Sequence, residues 1–300
     1  MVGPTAVGKS AVAVSLAKKI NAEIISCDSM QIYKGMDIIA SIPSLLLRKR
    51  VPHHLFAFID PRSAYNVVKY RRQAVKKIQE IIERGKIPLF VGGTGHYMSI
   101  LLDGIFQAQC EDQAVRDELY EEARHFSSAY LHKRLRKADA KAALKIHPND
   151  TKRIVRALEV FITTGKPISE LQRQRRGLAD KFKIKIFCLD MPRDKLYQRI
   201  EERIDRMFNS GLRDEVNKLL KLKLSKTASC AIGIKELRGY WDGLYDLGQA
   251  KRLMKKNTRN YAKRQLTWFR KDKRIDWIEI KDQEKPNQTA ERILSCLTAA

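Results

Sequence analysis

The chain is short of cysteine, of acid and of long apolar runs, and each shortage excludes something. Its five cysteines, Cys27, Cys110, Cys188, Cys230 and Cys296, are odd in number, scattered and never spaced C-x-x-C. That pattern supports neither a disulfide framework nor a structural zinc site, and it fits a reduced, cytoplasmic protein. No run of about 18 apolar residues occurs, so no membrane span is expected. No secretory leader is expected either, because the chain opens directly on a glycine-rich loop. No internal repeat or low-complexity linker interrupts it. Acidic residues number 34 against 59 basic ones, a formal net charge of +25. Such an excess predicts a polyanionic partner, nucleic acid first, against the plainer reading of a merely basic protein. The 300 residues suffice for one large core plus an inserted or appended unit.

What is present begins with Gly3-Pro4-Thr5-Ala6-Val7-Gly8-Lys9-Ser10, which fits G-x-x-x-x-G-K-[ST]. In that pattern backbone N–H groups wrap a phosphate, the lysine supplies a point charge and the serine hydroxyl can ligate Mg²⁺. Val12, Leu16 and Ile20 follow at helical spacing, so the loop opens onto a helix N-terminus whose dipole favours an anion. The loop alone leaves the ligand open among nucleoside triphosphate, kinase substrate and diphosphate ester. Only Met1 and Val2 precede it, so most of the buried strand that carries such a loop is expected to be missing and the sheet less stable there.

Glu23-Ile24-Ile25-Ser26 reads as a buried strand ending at Cys27-Asp28-Ser29. A carboxylate just past the carboxyl end of a strand faces the same crevice as the phosphate loop. Asp28 is therefore placed to ligate a metal or take a proton, with capping of the following turn as the structural alternative. Gln31, Tyr33 and Lys34 lie in a polar loop suited to a substrate or to solvent. His53 and His54 have no companion of the H-E-x-x-H kind, which favours packing or hydrogen bonding over zinc. A helix is expected from Val67 to Arg84 with an apolar face of Val67, Tyr70, Ala74, Ile78, Ile81 and Ile82, closed by Gly85. Ile87–Val91 reads as a second buried strand, ending in Gly92-Gly93-Thr94-Gly95. Glycines there allow close backbone approach and Thr94 presents a hydroxyl, although an ordinary tight turn reads the same way.

The alternation then stops. Residues 112–181 read as wholly helical, an insertion into a P-loop core made of 1–111 and 182–300. The best-defined helix is capped by Asn149-Asp150 and stopped by Gly165, with Ile154, Ala157, Leu158, Phe161 and Ile162 inward. Lys152, Arg153 and Arg156 lie off that stripe, placed for phosphates or for solvent. Lys183–Leu189 reads as a strand returning to the core. Asp190 and Asp194 fit a helix lead-in better than a metal-binding carboxylate. In the next helix Leu196, Ile200, Ile204 and Met207 face inward, while Arg199, Arg203 and Arg206 make a cationic stripe from which Arg203 reaches back to the anion. Glu202 is spaced to pair with Arg206. From Lys251 to Arg274 basic residues are interleaved with Tyr261, Trp268 and Phe269; the charges are read as ligands and Trp268 and Phe269 as core.

These residues together resemble the tRNA dimethylallyltransferase family almost end to end. The carriers are the loop 3–10, Asp28-Ser29-Met30-Gln31 with Tyr33 through Ile38, Val51-Pro52-His53-His54-Leu55, and Val91 through Gly95. His147-Pro148-Asn149-Asp150, Arg156 through Val160, Asn257-Thr258-Arg259 and Ala262 through Arg270 complete the set. The resemblance implies an α/β fold, a P-loop NTPase-like parallel-sheet core with an inserted all-helical domain and a helical C-terminal segment. It implies transfer of the dimethylallyl group from dimethylallyl diphosphate to N6 of an adenine beside the tRNA anticodon, with Mg²⁺ assistance, by a cytoplasmic monomer with no membrane partner. By the same likeness Gly3, Thr5, Ala6, Val7, Gly8, Lys9, Ser10 and Arg203 would hold the diphosphate, with Ser10 on Mg²⁺. Asp28 would accept the proton and Thr94 would hold the reacting groups. Asp28, Ser29, Met30 and Gln31 would meet the extruded base. Lys152, Arg153 and Arg156 would grip the anticodon stem, Arg116 would wedge against the loop, and Lys235, Lys263, Arg264 and Arg270 would hold the RNA backbone.

The sequence departs from the family pattern after Asp37-Ile38, where Gly-Thr-Ala-Lys-Pro is replaced by Ile39-Ala40-Ser41-Ile42-Pro43, so weaker substrate binding is expected. Two other readings remain open. A small-molecule or nucleotide kinase accounts for the loop and Asp28 but not for the basic C-terminal segment. A non-catalytic RNA-binding relative accounts for residues 39 to 42.

Overall fold

A computed structural model describes residues 1–106 and 112–298; Cys110 and the expected domain boundary at residue 111 lie outside them. The chain divides into two compact units, residues 1–99 with 183–300, and residues 100–182.

The first unit carries the sheet. Its elements are α1 (Lys9–Lys19), β1 (Ala22–Ser26), α2 (Leu45–Arg50), β2 (His53–His54), α3 (Val67–Glu83), β3 (Ile87–Val91) and α4 (Gly95–Asp103), which runs on past Ser99. Strand β1 is buried along its whole length and pairs in parallel with β2 on one side and β3 on the other. On α3 the inward stripe is Tyr70, Ala74, Ile78 and Ile81; Ile82, expected on that face, is 44% exposed. One helical position separates Ile81 from Ile82, and that rotation carries Ile82 off the stripe. Gly85 follows with φ 68°, the left-handed stop expected.

After the second unit the sheet resumes with β4 (Ile186–Asp190), followed by α10 (Arg193–Asn209), α11 (Leu212–Leu220), α12 (Ile234–Trp241), α13 (Leu247–Phe269), β5 (Ile275–Glu279) and α14 (Pro286–Thr298). Strand β5, which no sequence pattern announced, pairs in parallel with β4. Met1 and Val2 stitch the sheet together through their backbone groups. The Met1 nitrogen donates to the Phe90 carbonyl and Gly92 donates to that of Met1. On the other side Val2 donates to Phe187 and accepts from Leu189. The spatial order is therefore β2, β1, β3, residues 1–2, β4, β5, and the phosphate loop leaves the middle of the sheet at its carboxyl edge.

The second unit is helical: α5 (Gln113–Phe126), α6 (Ser128–Ala138), α7 (Ala140–Ala143), α8 (Thr151–Thr164) and α9 (Ile168–Leu171). Asp150 caps α8 by accepting from the Arg153 N–H, and Gly165 closes it at φ 67°. Its core gathers Leu119, Leu131, Leu135, Ile154, Val155 and Leu158. Ile162 is 48% exposed and Val155 and Val160 are buried in its place, so the inward stripe of α8 is rotated from the expected one.

Candidate active site

Loop 3–10 wraps a concave space at the sheet's carboxyl edge. Gly3 sits at φ 144°, where a Cβ would lie 2.6 Å from the Leu189 carbonyl oxygen, so only glycine lets the loop leave the sheet this closely. Lys9 folds back on the loop, its Nζ donating to the carbonyls of Gly3 (2.9 Å) and Pro4 (2.7 Å). Burial is the main cause that lowers its pKa to about 8, and Arg203 adds to this while Asp28 opposes it. A buried ammonium resting on carbonyls it can leave is poised for an incoming anion.

Helix α10 supplies the opposing cations, and its apolar face of Leu196, Ile200, Ile204 and Met207 is buried as the spacing requires. Arg203 donates from Nη2 to Thr5 Oγ1 at 2.7 Å. Its Nε is buried with no partner among the described residues. Burial first, then Arg206, lowers its pKa to about 10 against the pull of Asp28. Arg199 reaches the Val7 carbonyl at 3.5 Å. Among the described residues Glu202 accepts from Gln198 and not from Arg206, which lines the cavity instead.

The other wall comes from the ends of β1 and β3. Asp28 Oδ1 accepts from the N–H groups of Met30 (2.9 Å) and Gln31 (3.4 Å), so the turn cap is real. Its second oxygen has no partner among the described residues, and the residue lines the same cavity as Lys9, Ser10 and Arg203, about 900 Å³ in volume. Thr94 Oγ1 accepts from the Ser29 N–H at 3.0 Å, tying the second glycine turn to the Asp28 turn. Gln31 uses its amide nitrogen on the carbonyls of Ala40 (3.3 Å) and Ser41 (3.0 Å), leaving its oxygen available to a base. The departing segment 37–42 is a wall of this cavity, and the N–H groups of Ile38 and Ile39 both donate to Glu215 at 2.8 Å.

Two residues on α13 join the site although their local sequence marks neither as functional. The Tyr261 phenol lies on the cavity wall beside Thr94, and burial together with the nearby Asp28 charge raises its pKa well above the ordinary value, keeping it neutral. Gln265 is buried, accepting from the Thr5 N–H at 2.8 Å and donating to the Gly93 carbonyl at 2.9 Å. A signal existed: Thr258 and Gln265 are polar residues inside the stripe Ala250, Met254, Ala262, Phe269 that α13 buries. Phe269 is core as expected, whereas Trp268 keeps 38% of its surface exposed.

The expected RNA contacts divide. Lys235, Lys263, Arg264 and Arg270 are exposed on the first unit, with Arg264 over the Tyr261 ring at 5.8 Å and on the cavity wall. Lys235 lines a smaller cavity of about 200 Å³ with Asn257 and Arg264. In the helical unit Lys152 and Arg153 are exposed. Arg116 and Arg156 instead bracket the fully buried Glu159, each at 2.8 Å. Burial pushes the Glu159 carboxyl up, but the two guanidiniums and the Asp112 N–H outweigh it and hold it below its ordinary value. The histidine pair makes hydrogen bonds: His53 Nδ1 with the Val51 carbonyl and His54 Nε2 with Glu23, both at 2.7 Å. No described helix is long and apolar enough to cross a membrane.

Comparison with known proteins bears on this site. Residues 31–272 match the family model described as IPP transferase, and residues 1–44 match that described as isopentenyl transferase. A tRNA dimethylallyltransferase of Geobacter sulfurreducens is 47% identical over 279 residues, 92% of this chain and 90% of the relative. One from Carboxydothermus hydrogenoformans is 45% identical over 297 residues, 98% of this chain and 95% of the relative. Among solved structures, the full-length tRNA isopentenylpyrophosphate transferase of Bacillus halodurans aligns with a TM-score of 0.72 at 38% identity, covering 99% of this chain and 95% of that one. A eukaryotic dimethylallyltransferase acting on tRNA aligns with a TM-score of 0.84 at 29% identity, covering 99% and 77%.

Proposed function

This chain belongs to the IPP transferase family, and from that footing we propose that it moves a dimethylallyl group from dimethylallyl diphosphate to N6 of an adenine beside the anticodon of tRNA. The observation that carries the proposal is one cavity walled by the phosphate loop and Arg203 on one side and by Asp28 and Ser29 on the other, with Thr94 bonded to the Ser29 N–H behind that wall. A diphosphate leaving group and a base-activated amine meet in such a space.

The N6 lone pair attacks C1 of the dimethylallyl group, the C1–O bond breaks, and its electron pair leaves on diphosphate. An exocyclic adenine amine is a weak nucleophile, so it gains from a fixed approach and a nearby base. Asp28 takes the N6 proton on the oxygen that the turn leaves unused. Lys9 moves from the Gly3 and Pro4 carbonyls to the diphosphate, and the orphaned Nε of Arg203 gives that charge a further donor. Thr94 holds the acceptor side against Ser29. The adenine leaves its stack to reach Asp28, and the Gln31 carbonyl oxygen reads it. Ser29 and Met30 line that approach. Lys235, Lys263, Arg264 and Arg270 follow the RNA backbone, and Lys152 and Arg153 meet the anticodon stem. Arg156 and Arg116 shape that surface while holding Glu159. The Ser10 hydroxyl on this cavity suits Mg²⁺, which takes few protein oxygens beside phosphate oxygens. Ser10 would hold the ion, which when bound neutralises charge on the departing diphosphate. Cytoplasmic action as a monomer belongs to the same reading.

The test is a single-turnover reaction of an unmodified anticodon stem-loop with dimethylallyl diphosphate, read by mass spectrometry of the adenine. A gain of one dimethylallyl group on N6 is expected. ATP turnover with no prenylated adenine would overturn the proposal in favour of kinase chemistry.

A further inference from the structure

Helix α13 presents two faces to different tasks. Lys263, Arg264 and Arg270 are exposed, whereas Tyr261, Gln265 and Trp268 recur at helical spacing toward the second glycine turn. Tyr261 lies beside Thr94, and Trp268 sits edge-on to His96 at 6.4 Å between ring centroids. Gln265 does more, because it touches both loops of the site. Its carbonyl oxygen takes the Thr5 N–H, and its amide donates to the Gly93 carbonyl.

Those two bonds extend in both directions. Thr5 Oγ1 accepts from Arg203, so the donor side of the chain ends on the guanidinium whose Nε is unpartnered among the described residues. Gly93 precedes Thr94, whose hydroxyl accepts from Ser29 next to Asp28, so the acceptor side ends at the proposed base. The fit is tight: a Cβ on Gly93 would lie 2.1 Å from Gln265 Nε2. A planar amide is the group this place requires, since it accepts on one edge and donates on the other. A carboxylate would keep the Thr5 bond and face the Gly93 carbonyl with a second acceptor. An apolar side chain would orphan both backbone groups.

We propose that Gln265 is a positioning residue for the transfer reaction, fixing the distance between the diphosphate loop and the Thr94 turn from the helix that also carries the RNA-facing cations. The proposal rests on the prenyl-transfer reading for its kinetic arm only. Gln265 acts through its bonds to Thr5 and to Gly93.

Three variants test it: Gln265→Met, Gln265→Glu, and Phe269→Leu as a buried α13 control away from the cavity. Gln265→Met is expected to lower kcat about 10- to 100-fold, the range for misplacing reacting groups, with stem-loop Kd unchanged within about threefold. It should also weaken binding of inorganic diphosphate by about tenfold, measured calorimetrically without any reaction. Gln265→Glu, which keeps the Thr5 bond, should hold diphosphate more tightly than Gln265→Met yet share its loss of kcat. Phe269→Leu should lower Tm while leaving kcat and diphosphate affinity near the parent values. The proposal is overturned if Gln265→Met retains parent kcat and diphosphate affinity, or if its losses match those of Phe269→Leu at equal loss of Tm. If the parent enzyme transfers no prenyl group, the function fails and the diphosphate arm alone decides the role of Gln265.

Discussion

Glu159 in the helical unit and the cations of the loop site in the sheet unit treat buried charge in opposite ways. In the helical unit Glu159 is fully buried and fully answered, by Arg116, Arg156 and the Asp112 N–H. In the sheet unit Lys9 rests on carbonyls of its own loop, and Arg203 holds a buried Nε with no partner among the described residues. Residues 100–182 contain 16 Lys and Arg against 12 Asp and Glu, so only +4 of the net +25 falls there and +21 falls on the rest. Satisfied buried charge is a structural device, while unsatisfied buried charge has a cost that persists where a ligand repays it. The contrast between these two sites supports placing the proposed chemistry at the loop site of the sheet unit.

The largest expected effect sharpens that assignment. Asp28→Ala should lower kcat by roughly 10²- to 10⁴-fold, the usual contribution of a positioned base. Stem-loop Kd should stay near the parent value, measured by fluorescence anisotropy. Turnover within twofold of the parent would remove Asp28 as the base and leave only its cap on Met30 and Gln31.

In the helical unit the matching experiment is Glu159→Ala, which strands two guanidiniums and one N–H. Breaking a buried pair costs about 3–5 kcal/mol, and partial exposure of both arginines should reduce this to about 2–3 kcal/mol. The carboxyl's folded pKa is depressed, so its contribution is complete above its unfolded pKa and fades as pH falls through the folded one. Denaturant unfolding at neutral pH checks the loss, and repeating it under acid conditions should shrink the difference between variant and parent. Equal stability at neutral pH would mean that Glu159 is not the structural centre its burial implies.

Lys9 gives a tenfold-scale effect of the opposite kind. With its pKa lowered to about 8, the free enzyme carries a partly neutral Lys9 near that pH. Diphosphate favours the charged form, so binding at pH 8–9 should take up a proton. Calorimetry in buffers of different ionisation enthalpy measures that uptake, and diphosphate affinity should fall by up to about tenfold per pH unit above 8. Binding without proton uptake in this range would show that Lys9 is already charged.

Legibility in the sequence followed the range of the interaction. Loop 3–10, Asp28 past β1 and the Gly92–Gly95 turn could be read because each is a local pattern at a strand end. The Asp150 cap and Gly165 stop of α8 were equally local. Gln265 was hidden because its role depends on α13 lying against two loops more than 170 positions away in sequence. The pairing of Arg116 and Arg156 was hidden for the same reason: a basic side chain on a helix edge reads alike whether it meets a phosphate or a buried Glu159. Strand β5 escaped because only Ile275 and Ile278 of its five residues are buried, a spacing that breaks the alternation of a half-buried strand.

The smallest effect tests the charge distribution itself. Lys263 and Arg264 are exposed on α13, and neither has an acidic partner among the described residues. Removing one cation that meets a phosphate should reduce the slope of log K against log salt by about one without changing base preference. Lys263→Ala and Arg264→Ala should each do so in stem-loop binding across a salt series. The same substitution at Arg156 should disturb the helical unit more than the slope, because that guanidinium already neutralises Glu159. A flattened slope for Arg156→Ala, with none for Lys263→Ala, would reverse the contrast and move the RNA path onto the helical unit.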